Sequence, residues 1–283
     1  MITLALLCQL ASVSESGDYK WVNTTKQRQL RLTNELSDYH LIKAIFFKKK
    51  QVAGYRTIVM NLLSQYGVIM NPKKVKRIML KYNLICTIRK KKTYMNTFNQ
   101  KKIENTYDNL LNTTFDCQIP GAIHHTDITY IKYAHGTKVA YLSATKDQAT
   151  REIVGYALSQ SLELPFVLET LNQLKQLDLV KGAIIHSDQG MHYTSTKYNE
   201  KIKELGLQGS MSARGRCVDN APIETLFGHL KDEIIFKTIE TYEELVEIIN
   251  QYIYDYNHHR VQWTLKKMTP INYRNHLMMH SSN

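Results

Sequence analysis

The chain has 283 residues and a formal net charge of +12, from 37 Lys and Arg against 25 Asp and Glu. This length is enough for one to three domains with apolar cores, and the positive excess favours a polyanionic partner. The four cysteines are scattered without the spacing of a disulfide framework or a zinc site. No apolar run approaches the roughly 20 residues that a membrane span needs, so the sequence predicts no membrane partner.

The positive charge is concentrated in the first part of the chain. Residues 1–116 carry 20 Lys and Arg against 7 Asp and Glu, whereas residues 117–283 carry 17 against 18. A basic arm beside a nearly neutral, acid-containing core suits a DNA-holding module joined to a catalytic one. An ordinary basic surface on a soluble protein gives the same totals, so this alternative stays open.

The N-terminal segment, residues 1–50, is predicted to be helical. Its apolar opening lacks the basic start of a secretory signal, and Leu4, Leu7 and Ala11 fit one face of a short helix instead. Residues 27–50 predict a longer helix that ends in a run of lysines. We therefore expect a helical segment here rather than a cleaved leader.

A helix-turn-helix-like pair is predicted in residues 51–87. Gly67 is typical of the residue that ends a helix. Asn71 and Pro72 are typical of the cap and first residue of the next helix. The second helix is rich in basic residues that are candidates for contacts with DNA phosphates, namely Lys73, Lys74, Lys76 and Arg77. A solvated helical hairpin that binds nothing is the alternative.

Residues 88–113 form a predicted basic linker with little apolar content. Such a tether can follow a DNA backbone while it joins two rigid parts. An ordinary flexible linker explains the composition equally well.

The sequence from residue 114 to residue 240 predicts a catalytic core of the α/β class. Three strands in succession and then alternating helix and strand favour a mixed five-stranded sheet with flanking helices on both faces. The predicted strands are 123–133, 138–144, 152–159, 184–188 and 207–211, and the predicted helices follow Pro165 and span 196–205. Residues 241–283 predict a C-terminal helix and tail packed on this core, with a capping box in Thr241-Tyr242-Glu243-Glu244.

Three acidic residues stand out in this region. Asp127 lies in a strand-like run, Asp188 ends another, and Glu224 lies at the edge of an apolar helical stripe. Three carboxylates in one cleft repel each other unless cations neutralise them. Hard oxygen ligands select Mg²⁺ or Mn²⁺, and two such ions are a known device for displacement at phosphorus.

The order and spacing of these acids resemble a known signature. Asp188 lies in H-S-D-Q-G, Glu224 lies in D-N-A-P-I-E-T-L-F-G-H-L-K-D-E, and 35 residues separate the two acids. The pattern is similar to the D,D(35)E motif of retroviral-type integrases and transposases. The surrounding words resemble the second-frame (OrfB) transposase of bacterial insertion sequences of the insertion-sequence-three family. Lys231 matches the basic residue that this family carries on the same helix face.

The resemblance implies a ribonuclease-H-like fold and DNA strand cleavage followed by strand transfer. It implies that Asp127, Asp188 and Glu224 hold two Mg²⁺ ions, which Mn²⁺ can replace, and that Lys231 contacts DNA. It also implies binding to the terminal inverted repeats of an element and to target DNA, homo-oligomers on DNA, fusion to an upstream-frame product, and a cytoplasmic, nucleoid-associated location.

A loop before the Glu224 helix is a further candidate for DNA contact. It carries Arg214 and Arg216 around a glycine, and guanidinium groups bind phosphate in a bidentate manner.

Two other functions stay open at this point. One is a metal nuclease on the same fold, which would cut DNA without joining it. The other is a DNA-binding remnant without catalysis, although all three acids are intact.

Overall fold

The computed structural model describes residues 3–86, 106–111, 117–177, 179–212 and 217–281. Backbone contacts divide the chain into two compact units, Met1–Thr87 and Ile88–Asn283. Most of the predicted linker lies outside the described residues. Within the described ranges, no helix combines the length and the hydropathy that crossing a membrane requires.

The first unit is all-helical, as predicted. Its five helices are α1 (Leu4–Leu10), α2 (Glu15–Asn23), α3 (Thr25–Lys48), α4 (Tyr55–Tyr66) and α5 (Pro72–Lys81). The end of α3 packs against α4 and α5 around a core that includes Ile42, Phe46, Ile58, Leu62, Val75 and Ile78. The earlier helices bury little, because their apolar side chains are mostly exposed.

The turn between α4 and α5 follows the predicted chemistry. Gly67 ends α4 with φ 65°, a left-handed conformation that glycine adopts without strain. The Asn71 side chain accepts a hydrogen bond from the backbone N–H of Lys73 at 2.8 Å, and Pro72 is the first residue of α5. The helix-turn-helix-like prediction is therefore confirmed at the level of the backbone.

The second unit contains one mixed sheet. Its strands are β1 (Ile123–Tyr133), β2 (Lys138–Asp147), β3 (Ile153–Ser159), β4 (Ile184–Ser187) and β5 (Gln208–Met211), in the order β3-β2-β1-β4-β5. The first three strands pair antiparallel, and β4 pairs parallel to both β1 and β5. This confirms the predicted five-stranded mixed sheet. β2 runs three residues further than predicted, because its pairing with β1 continues to Asp147.

Helices cover both faces of the sheet. α6 (Leu164–Asn172) and α7 (Thr196–Glu204) contribute to one apolar core, and α8 (Ala221–Glu233) and α9 (Tyr242–His258) contribute to the other. The side chains of β1 and β2 alternate between these two cores, as the two-residue period of a strand requires. A last helix, α10 (Pro270–Ser281), follows α9.

The capping box at the start of α9 is shifted by one residue. The Thr241 hydroxyl accepts from the backbone N–H of Glu244 at 3.1 Å, as predicted. The Glu244 carboxylate accepts from the N–H of Glu240 at 3.0 Å rather than from that of Thr241. The two side chains still satisfy two backbone donors at the helix entrance.

Both outer strands of the sheet are covered by side chains of the same unit. On β3, Gln173 bonds both backbone groups of Tyr156, and Asn257 bonds both backbone groups of Ile153. On β5, the Met211 N–H donates to the carbonyl oxygen of Asp108 at 3.4 Å, and the Tyr107 ring packs on the face of the strand at Gly209. These contacts leave less of the sheet edge available for pairing with another chain.

Candidate active site

The pairing of two parallel strands sets the position of two of the three acids. β1 and β4 are in register at His125 and His186, and Asp127 and Asp188 each follow two residues later. Continuation of this register places the two aspartates at the same level on neighbouring strands. β4 ends at Ser187, one residue before Asp188, and the pairing of β1 with β4 ends at His125 and His186.

Asp127 is partly buried, and its surroundings disfavour the ionised form of its carboxyl group. Burial, the charge of Asp188 and the charge of Glu224 raise the pKa of Asp127 to about 7, against the opposing effects of the Ile128 N–H and Lys231. The Ile128 N–H donates to the Asp127 carboxylate at 2.8 Å and holds its orientation. Asp127 therefore senses all three charged residues that the sequence assigned to the site.

Asp188 lies exposed at the end of β4, in a tight turn. The Gly190 N–H donates to the Asp188 Oδ1 at 2.8 Å. Burial of one side of this carboxylate against the protein raises its pKa. The hydrogen bond from the Gly190 N–H and the charge of His192 oppose that effect. A Cβ added at Gly190 would lie 2.8 Å from the same oxygen, so only glycine fits without displacing the acid.

Glu224 lies in the first turn of α8 and its side chain is exposed. The apolar stripe of α8, which includes Ile223, Leu226 and Phe227, is buried against the sheet. This burial sets the rotation of the helix about its own axis. The partial positive charge of the helix N-terminus favours a carboxylate at this position. Asn220 precedes the helix and Pro222 lies in its first turn, and the Asn220 side chain makes no capping hydrogen bond.

Lys231 lies two helical turns after Glu224 and therefore on a similar face of α8. Its Nζ is 4.6 Å from the centroid of the Tyr130 ring on β1, and its charge lowers the pKa of Asp127. A cation thus lies close enough to Asp127 to affect its ionisation.

The three acids do not form a ligand cage in the structure. Among the described residues, no three His, Cys, Asp or Glu side chains are grouped closely enough to hold a metal ion. Asp188 and Glu224 are nevertheless near enough to Asp127 for their charges to raise its pKa. The joint role of the three acids stays a prediction.

The predicted DNA-binding residues differ in their surroundings. Lys74 pairs with Asp38 at 2.5 Å, and Arg77 pairs with Glu35 at 2.6 Å. Lys73 and Lys76 have no such ion pair in the part of the chain that the structure describes. The prediction treated the four as equivalent, and the structure separates them, because α3 supplies acids to one side of α5.

The two loop arginines, Arg214 and Arg216, lie outside the described residues. Sequence reasoning also missed two buried side chains beside the site, Lys146 and Asn220. Lys146 occupies a core position in the alternation of β2. In the sequence, however, a lysine followed by an aspartate looks the same as the solvent-exposed end of a strand.

Comparisons with known proteins agree with this fold. Residues 118–217 and residues 224–278 each match an integrase core domain, and residues 33–92 match an HTH-like domain. The mixed sheet with these matches defines a ribonuclease-H-like, integrase-type core preceded by a helix-turn-helix-like region.

Relatives that are named as transposases or transposase-like proteins align with most of the chain. An uncharacterised transposase-like protein of Haemophilus influenzae is 38% identical, over 72% of this chain and 93% of its own length. The putative transposase InsK for insertion sequence element IS150 of Escherichia coli is 33% identical, over 84% of this chain and 83% of its own length. A solved HTLV-2 integrase catalytic core domain in complex with magnesium is 15% identical over 55% of this chain and 97% of that one, with a TM-score of 0.43.

The extent of these matches shows the family. The chain belongs to the insertion-sequence-three family of transposases and carries an integrase-type core.

Proposed function

We propose that Asp127, Asp188 and Glu224 are the catalytic residues of a metal-dependent reaction that cuts the DNA ends of an insertion element and joins them to target DNA. The observation that carries this proposal is the electrostatic state of Asp127. Its pKa is raised to about 7 by burial and by the other two acids. Acids assembled at this cost to the fold are typical of a functional site.

The donor set fits divalent magnesium. All three side chains offer carboxylate oxygens, the ligands that Mg²⁺ and Mn²⁺ prefer. Bound cations would remove the repulsion that separates the acids, and two ions suit the entering and leaving oxygens of a phosphodiester. When bound, Mg²⁺ supplies Lewis acidity at phosphorus and lowers the pKa of the attacking water or 3′-hydroxyl.

The residues of the chain itself supply position and charge. The Ile128 N–H holds the Asp127 carboxylate and the Gly190 N–H holds that of Asp188, so both acids present fixed oxygens to the cleft. Lys231 is proposed to pair with a phosphate of the strand being cut, and its effect on the pKa of Asp127 supports this role. Phosphoryl transfer needs mainly positioning and charge neutralisation, so no covalent protein intermediate is required.

The first unit is proposed to hold the terminal inverted repeats of the element. On α5, Lys73 and Lys76 are the residues that we assign to DNA phosphates, whereas Lys74 and Arg77 also have carboxylate partners within the unit. Arg214 and Arg216, which precede α8 in the sequence, are proposed to contact DNA beside the catalytic site.

Assembly on DNA is also proposed, as a homo-oligomer and as a fusion with an upstream-frame product. The support comes from the N-terminal helices, where Leu10 is 75% exposed and Trp21 and Leu30 are each 63% exposed. Exposed apolar side chains mark interaction sites in proteins where they form a contiguous patch.

A strand-transfer assay tests the catalytic proposal. A labelled duplex that carries an end of the element is incubated with the full chain, Mg²⁺ and a target plasmid, and cut and joined products are separated on a gel. We expect both products from the unaltered chain and from the control Glu163→Gln. We expect neither from Asp188→Asn, while its affinity for the duplex is retained.

Two results would contradict the proposal. Cutting without joining would indicate a nuclease on this fold. Activity of Asp188→Asn equal to that of the unaltered chain would remove Asp188 from the chemistry.

A further inference from the structure

A buried lysine lies beside the proposed site and has no part in the mechanism above. Lys146 is only 3% exposed, on the face of β2 that α8 and α9 cover. The register of β2 against β3 shifts by one residue between Thr145 and Lys146. Burying an ammonium group is costly unless it is hydrogen-bonded, and burial lowers the pKa of Lys146. A long apolar side chain would fill the same space without that cost.

The contacts of Lys146 are with the start of the Glu224 helix. Its Nζ donates to the carbonyl oxygen of Pro222 at 3.0 Å, two residues before Glu224. The same Nζ lies 5.6 Å from the centroid of the Tyr256 ring on α9, which offers a favourable cation–π contact. The buried charge is therefore used to join β2, α8 and α9 at one point.

A second side chain joins the same helix start to β1. Asn220 is 3% exposed and precedes α8, where an asparagine ordinarily caps the helix. It makes no capping bond, and its Nδ2 instead donates to the carbonyl oxygen of Thr126 at 3.3 Å. Thr126 immediately precedes Asp127, so this bond links the backbone of one proposed ligand to the helix that carries another.

We propose that Lys146 and Asn220 are positioning residues that hold Glu224 at its working distance from Asp127. The two bonds attach the first turn of α8 to β2 and β1, the strands that meet beside the site. Loss of either bond lets the helix start move while its apolar stripe keeps the helix packed. This inference rests on the proposed function, because it concerns the geometry of the same three acids.

The test uses Mn²⁺ alone as the probe and the full-length chain as the sample. Mn²⁺ binding is measured by isothermal titration for the unaltered chain, Lys146→Met, and the control Lys175→Met, whose lysine pairs with Glu204 on the surface. We expect about tenfold weaker Mn²⁺ binding for Lys146→Met and none of this loss in the control, because residues that orient metal ligands typically have effects of this size. Thermal unfolding shows whether the variant is folded, and an apolar replacement of a buried charge is often tolerated.

Strand transfer separates positioning from a merely structural role. We expect Lys146→Met to need a higher Mn²⁺ concentration for half-maximal rate and to approach the unaltered rate at saturating Mn²⁺. A folded Lys146→Met chain with unaltered Mn²⁺ affinity and unaltered half-maximal concentration would overturn the inference.

A second variant decides the question if Lys146→Met does not fold. Asn220→Ala is expected to weaken Mn²⁺ binding in the same direction, and unaltered binding would overturn the inference. Asp188→Asn is titrated in parallel. If Asp188→Asn binds Mn²⁺ like the unaltered chain, the proposed function fails. If Asp188→Asn is impaired and Asn220→Ala and Lys146→Met are not, only the positioning role fails.

Discussion

Asp127 combines, in one carboxyl group, partial burial with two like-charged neighbours. Its pKa is raised from 3.8 to about 7, so the folded chain binds this proton more tightly than the unfolded chain does. The free energy of unfolding therefore falls as pH rises from about 4 to about 7, and the full loss applies above that range. A cation bound to the ionised group would restore stability.

Removing this charge is expected to stabilise the chain without metal. Asp127→Asn should unfold at a higher temperature than the unaltered chain at pH 8, with a smaller difference at pH 5, when both are followed by calorimetry in a chelating buffer. In a second buffer without chelator, Mg²⁺ should raise the unfolding temperature of the unaltered chain more than that of the variant. Asp255→Asn, an exposed acid on α9, is the matched control. Lower stability of Asp127→Asn at pH 8 would refute this account of the pKa.

Gly190 is expected to be required for the position of Asp188. An alanine Cβ would lie 2.8 Å from the Asp188 Oδ1, so Gly190→Ala should displace that carboxylate and weaken Mn²⁺ binding about tenfold. Gly54→Ala is a suitable control, because a Cβ there meets nothing within 4 Å. Titration with Mn²⁺ measures both, and equal affinities would show that the turn tolerates a side chain.

The three acids could be predicted from the sequence because residue type, order and spacing carry that information. Gly190 and Lys146 could not be assigned a role in the same way. The role of Gly190 depends on the distance to one oxygen, and that of Lys146 depends on a carbonyl 76 residues away. Contacts between residues so far apart in the chain need the folded structure.

Among the elements, α5 shows how acids on a neighbouring helix offset part of the positive charge of a basic helix. Glu35 on α3 pairs with both Arg77 and Lys81, and Asp38 pairs with Lys74. The run of basic residues was visible in the sequence. Its pairing with Glu35 and Asp38 was not, because these acids lie more than 30 residues earlier in the chain. Ion pairs this exposed contribute little to stability, so their main effect is on the charge presented to DNA.

The salt dependence of DNA binding distinguishes the two sides of α5. Lys73→Ala and Lys76→Ala are each expected to reduce the slope of log Kobs against log salt by about 1, because each removes one phosphate contact. Lys74→Ala should change the slope less, since its carboxylate partner Asp38 already offsets its charge. Fluorescence anisotropy over a salt series measures the slopes. Equal slopes for all three variants and the unaltered chain would favour a solvated hairpin.

Two amide side chains bond the outer edge of β3, Gln173 at Tyr156 and Asn257 at Ile153. Asn257 accepts from the Ile153 N–H and donates to the Ile153 carbonyl, each at 2.9 Å. Asn257→Ala should lower the free energy of unfolding by about 1–3 kcal/mol, because both backbone groups lose their partner. The control Asn250→Ala removes only an exposed bond to the Tyr156 hydroxyl and should cost less. Denaturant unfolding compares them, and equal losses would show that the edge does not need this amide.

Strand order and boundaries were largely predictable, and these edge contacts were not. Apolar alternation and turn residues located all five strands to within a few residues. The extra length of β2 went unpredicted because Lys146 and Asp147 look like a solvent-facing strand end, and both are buried. Tertiary contacts overrode the local pattern there.

For the whole molecule, most of the positive excess lies in the first unit, because residues 1–87 carry 14 Lys and Arg against 4 Asp and Glu. The basic excess lies in residues 1–116, and the acids of the proposed site lie in the second unit. The two parts are proposed to act together, the first by holding element ends and the second by cutting and joining them. The central claim is that three acids from β1, the end of β4 and α8 bind divalent cations jointly.

Glu224 gives the most direct test of that claim, because it is the only one of the three acids that lies on a helix. Mn²⁺ binding is measured by electron paramagnetic resonance for the unaltered chain, Glu224→Gln, and the control Glu243→Gln on α9. We predict at least tenfold weaker binding for Glu224→Gln and no change for the control. Equal Mn²⁺ affinity in all three chains would contradict a shared site.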